Sequence, residues 1–142
     1  MVNTPLDALH QSHTATNDVL NGYDTMLDRA EPEIKPVLTD LAAMHRDHAA
    51  ALKGRLHALG DDGEGDTSFR GTMNSLAVTM RDWVADLDEG SLDAVQRGEK
   101  ALLDIYDDAL AGWSSVDDPD TATLLDTQYQ EIGAKISELA AR

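Results

Sequence analysis

Apolar residues recur along this chain at steps of three and four, the spacing of one helix face, and nowhere at the step of two that marks a half-buried strand. Five helical segments follow from that pattern and from the residues that open and close each run. The first begins at Thr4-Pro5-Leu6-Asp7, a cap with proline at the first helical position and an acid at the third, and runs to about Arg29 with Leu20, Tyr23 and Leu27 on its inner stripe. The second carries Ile34, Leu38, Leu41, His45, His48, Leu52 and Leu59 and stops at Gly60. Its Pro36 is tolerated because a missing donor costs little in the first turn. "GDDGEGD", 60–66, is a loop of glycines and acids. A third helix is predicted over 67–87, with Phe69, Met73, Leu76, Met80, Trp83 and Leu87 as its stripe. Ser91 caps a fourth, which presents Leu92, Val95, Glu99, Leu102, Tyr106, Ala109 and Trp113. Asp118-Pro119 starts a fifth, expected to run to the end of the chain.

Short connections make consecutive helices antiparallel, so the five run up, down, up, down, up. A segment over 67–87 is long enough, at about 1.5 Å per residue, to climb the full height of its neighbours. The second and fourth helices then run parallel, and residues 1–142 form a single all-α domain: a four-helix bundle with an additional helix in the crossover. Gly22 and Gly98 each cost about 1 kcal/mol against alanine inside a helix and are read as points of close helix packing. The methionines on the stripes read as core filler.

Charge narrows the range of partners. Net charge is −16, from 27 acids against 11 bases, and such a surface repels phosphate backbones and anionic lipid. Neither nucleic acid nor membrane is expected, and a monomer or homodimer fits. No stretch approaches membrane-spanning length, and the first residues lack a basic and then apolar leader pattern, so the expected location is cytoplasmic. With no cysteine, disulfides, thiolate metal sites and cysteine nucleophiles are excluded.

Three stretches then carry a resemblance: "NDVLNGY" (17–23), "RGEKALLDIYDDAL" (97–110) and "QYQ" (128–130). Together they resemble an uncharacterised bacterial family of short ferritin-like proteins whose domain has no assigned function. The resemblance implies a ferritin-like four-helix bundle with an extra crossover helix, and implies no activity. A ferritin-type di-iron centre needs a carboxylate on each of two helices and Glu-x-x-His on each of the other two. Here neither His45 nor His48 has a glutamate three residues before it, and Glu131 is followed three later by Ala134. Where the family tends to place histidine near the end of the last helix, this chain has Lys135 and Ile136. A working di-iron centre is not expected.

Two polar features on apolar stripes remain. Glu99 lies about eight residues below the top of the bundle and Tyr23 about seven, and Lys135 rises to nearly the same level. The expected arrangement is a partly buried Glu99–Lys135 ion pair with the Tyr23 hydroxyl nearby; a metal on Glu99 or plain solvent exposure are the alternatives. Lower down, His13 and His48 are expected to face one another in a polar layer with Tyr106 and Gln128. The competing reading is a single divalent metal, such as zinc, iron or manganese, held by His13, His48 and His45. His10 and His57 are expected to face solvent. The acid runs at 61–66 and 117–120 read as loops. For function, these readings favour a non-enzymatic binding or stress-associated accessory protein, with a metal-storing or metal-sensing protein built on a degenerate site as the alternative.

Overall fold

The structure is a computed structural model describing residues 4–29, 32–61 and 92–141. Among these residues there are four helices and no strand: α1 (Pro5–Arg29), α2 (Lys35–Ala58), α3 (Leu92–Ala111) and α4 (Pro119–Ala140). The predicted crossover helix over 67–87 and the Ser91 cap lie outside the described residues.

The helix ends follow the local chemistry of their sequences. At the start of α1, the Asp7 amide donates to Thr4 Oγ1 at 3.1 Å. α2 begins behind Ile34 with no side-chain cap, and Pro36 occupies its first turn. Its far end closes through two backbone bonds, Asp61 N to Leu56 O at 2.9 Å and Gly60 N to His57 O at 3.0 Å. That double closure requires a left-handed residue, and Gly60 supplies it at φ +85°. Leu59, read as part of the inner stripe, falls in this closing turn and is 42% exposed. In α4, Asp118 caps the helix by accepting from the Thr121 amide at 3.2 Å and from its hydroxyl at 2.6 Å.

α1 packs against α2 and α3, α3 against α4, and α4 against α2, which closes a four-sided bundle. Side-chain pairs fix the directions. Tyr23 on α1 meets Glu99 on α3, while Thr16, seven residues earlier (23 − 16), meets Tyr106, seven later (106 − 99), so α1 and α3 are antiparallel. Lys135 meets Asp40, Glu131 meets His48 and Asp118 meets Arg55, so α2 and α4 are antiparallel as well. Asp24 of α1 meets Arg46 and His10 meets Asp61 just past the end of α2, so α1 and α2 are antiparallel too, and the order is up, down, down, up, with α2 and α3 parallel.

The core of α1 follows a seven-residue repeat. Leu9, Thr16 and Tyr23 are buried, as are Ser12, Val19 and Met26, with small Ala8, Ala15 and Gly22 on the adjoining row. His13, Leu20 and Leu27 form the next row and are only half-buried. The inner face of α1 is thus turned by one position from the one expected, and this rotation takes His13 out of the core.

Candidate functional site

Tyr23, His45 and Glu99 converge from α1, α2 and α3 and are all fully buried. The Tyr23 hydroxyl donates to Glu99 Oε1. His45 Nε2 lies 2.8 Å from Oε1 and 3.0 Å from Oε2 of the same carboxylate, so the ring carries its hydrogen on Nε2 and donates to both. The His45 ring also stacks on Tyr23, with centroids 5.8 Å apart and planes at 24°. Burial raises the Tyr23 phenol well above its ordinary range, and the Glu99 charge and hydrogen bond push it further the same way. Two donors on one carboxylate are what a buried Glu requires, because an uncompensated charge in a dry core would be far costlier than the hydrogen bonds are worth.

Lys135 does not take part. Its ammonium donates to Asp40 Oδ2 at 2.6 Å and lies 3.4 Å from Glu138, and these carboxylates, the Asp40 hydrogen bond foremost, raise its pKa. The expected Glu99–Lys135 pair is therefore corrected on both sides. Lys135 reaches α2 at Asp40, five residues from His45 and so about 7.5 Å along the helix from Glu99's level. A long flexible stem lets the ammonium turn outward to two exposed acids and stay hydrated, which costs less than burying it beside Glu99. Asp40, Lys135, Glu33 and Glu138 rim a groove of about 370 Å³ whose floor includes Val37 and Leu41.

The shared His13–His48 layer is also corrected. On the half-buried edge of α1, His13 Nε2 lies 3.3 Å from the Asn17 side-chain amide of its own helix. Its pKa is lowered by burial first and then by the charges of Lys53 and His10. His48 turns to α4, with Nε2 3.1 Å from Glu131 Oε2. Burial lowers its pKa, and His45 adds to that, against the opposing pull of Glu131 and Glu99. The proposed metal trio is thus divided: the rings of His45 and His48 meet edge to face at 6.0 Å, whereas His13 Nε2 is engaged by Asn17 of its own helix.

Tyr106 and Gln128 do share a buried layer. The Tyr106 hydroxyl donates to Gln128 Oε1 at 2.6 Å, and Gln128 Nε2 donates to the backbone carbonyl of His48 at 3.2 Å. Thr16 completes the layer, with Oγ1 3.3 Å from the Tyr106 oxygen. His48 thus contributes its main chain to this layer and its imidazole to another contact. Burial raises the Tyr106 phenol, the Thr16 contact opposing it. His57 is exposed as expected, but His10 is buried and its Nε2 lies 3.1 Å from Asp61 Oδ2. His10 sits in a run, Ala8 to Ser12, that is buried at every position. Sequence reasoning missed both His45–Glu99 and His10–Asp61. The signal available for the first was that His45 sits on the buried stripe of α2 at a level with Glu99.

These three side chains alone do not supply the donors of a two-metal site. A di-iron centre needs bridging carboxylates, and Glu99 is the one carboxylate among these three converging groups. Among the described residues no group of three or more His, Cys, Asp or Glu converges as ligands would. A metal-bound imidazole ordinarily donates its second nitrogen to an outer partner, yet His45 Nδ1 has none among the described residues. No described helix is long and apolar enough to cross a membrane.

Comparison with known proteins gives a family and no activity. No curated protein and no solved structure matches the chain. Residues 4–112 match the family model described as Domain of unknown function (DUF2383), which covers well over half of the chain, so the protein belongs to that family.

Proposed function

We propose that this protein is a ferritin-like bundle, cytoplasmic and with residues 67–87 as its crossover helix, that acts as a non-enzymatic binding or stress-associated accessory protein without a working di-iron centre. The up-down-down-up order supports the ferritin-like reading, since ferritin-like folds join two antiparallel hairpins by one long connection. The observation that carries the functional reading is the sealed state of the polar interior. Tyr23, His45 and Glu99 have no exposed surface, and each is committed to the others. A substrate could not reach them without opening the bundle. Binding would then fall to the outside, where the groove between Asp40 and Lys135 offers an apolar floor and a charged rim.

A second reading follows from the departure of Lys135. With Lys135 turned away to Asp40, Glu99 would take one divalent cation, shared with His45 Nε2 and the Tyr23 oxygen after loss of their hydrogens. Metal analysis of protein purified without a histidine tag separates the two. The favoured reading expects substoichiometric metal that exchanges freely. One equivalent of zinc, iron or manganese, lost in His45→Leu, would establish the second reading and overturn the first.

A further inference from the structure

The chain has three tyrosines, and two of them are fully buried with hydroxyls in different chemical settings. Tyr106 donates to an amide oxygen of Gln128, which cannot hold a proton. Tyr23 donates to the Glu99 carboxylate, which can. Substrates are excluded from this cluster, but an electron needs no opening. The reaction left to a sealed phenol beside a base is loss of an electron coupled to transfer of its proton to that base.

We propose that Tyr23 is a one-electron donor site, with Glu99 as its proton acceptor, that traps oxidising equivalents reaching the bundle as a neutral phenoxyl radical. A diffusible one-electron oxidant of the inorganic-radical class takes one electron from the ring and is reduced by one. The Tyr23 O–H bond breaks, and the proton moves along the existing hydrogen bond to form an O–H bond on Glu99 Oε1. A small thiol or enediol reductant returns the electron, and the proton moves back.

Placement favours this step. The proton has only the length of an existing hydrogen bond to travel, and the atom that receives it is a carboxylate oxygen in the same buried cluster. Tyr106 has no such acceptor, because its hydroxyl donates to an amide oxygen.

The inference rests on the reading that this cluster holds protons and not a metal. The test uses the intact chain, analysed for metal, in a Tyr129→Phe background that removes the third phenol. Photogenerated tris(bipyridine)ruthenium(III) is the oxidant, and the radical is read by electron paramagnetic resonance after freezing. The tyrosyl signal is expected to persist in Tyr106→Phe and to vanish in Tyr23→Phe. Glu99→Gln keeps an acceptor but removes the base, and should lower the yield by about tenfold or more. A signal that survives Tyr23→Phe, or an undiminished yield in Glu99→Gln, would overturn the proposal. Should Glu99→Gln not fold, the same proton transfer is read in the unsubstituted cluster as a slowing of oxidation in deuterated water; equal rates in the two solvents would overturn it as well. Failure of the underlying reading shows separately, as one equivalent of bound metal.

Discussion

His48 is the residue at which solution pH reaches furthest into the bundle. Its side chain is nearly buried, while that of its partner Glu131 is 52% exposed, and His45 and Glu99 lie behind it. Burial holds its pKa below the ordinary 6.5, so between those two values the unfolded chain binds more protons than the native one. Stability is full above about 6.5 and falls as pH drops through that value toward the folded pKa. His48→Gln should therefore flatten the fall in urea midpoint between about pH 7.5 and pH 5, with the similarly lowered His13 supplying part of the remaining slope. An unchanged slope would show that His48 does not govern the acid limb. At this scale the sequence was legible in height more than in direction. Counting residues placed Glu99 level with Tyr23, and they do meet. It could not say which way a side chain turns about its helix axis. That angle decided His13, one row off the buried face of α1, and Lys135, whose stem is long enough to choose the wetter of two directions.

Helix ends were the most legible feature at the scale of elements, because a cap is chemistry between residues three or four apart. Thr4, Gly60 and Asp118 each perform the role that their identity announces. Asp118 does more than cap. It also binds Arg55 of α2 at 2.8 Å, while the Arg55 Nε donates to Thr121 at 3.0 Å, so the start of α4 is clamped to the end of α2. Burial alone would raise the Asp118 pKa, but the Thr121 hydroxyl and amide and the Arg55 guanidinium outweigh it and hold the carboxyl below its ordinary value. That stabilisation is present above about 3.8 and is lost as pH falls through the folded value. Asp118→Ala should cost about 1–2 kcal/mol by chemical denaturation, and Asp118→Asn less, because asparagine caps as well but cannot pair with Arg55. Equal losses in the two variants would mean that the ion pair, and not the cap, carries the stability. The partner of Asp118 across the bundle was not legible, since Arg55 and Asp118 are 63 residues apart in sequence.

Over the whole molecule, electrostatics oppose compactness. The described pairs, such as Arg55–Asp118 and Lys135–Asp40, neutralise few of the 27 acids, and the net −16 remains as self-repulsion. Raising NaCl from about 0.05 M to 1 M shortens the screening length to roughly 3 Å and should raise the melting temperature. A melting temperature that fell instead would mean that attraction within the pairs outweighs repulsion across the surface. The antiparallel pairing of α1 with α2 and of α3 with α4 was legible because short capped turns leave little choice of direction, whereas the contents of the polar interior depended on packing among four helices. One detail of that interior bears on how the protein can diverge. Gln128 holds α2 through the carbonyl of His48, not through its imidazole. Every amino acid brings that carbonyl, so a lineage can exchange the side chain at 48 without severing the bond. Tyr106 and Gln128 have no such freedom, because each is joined to the other through side-chain atoms, and drift at one must be answered at the other.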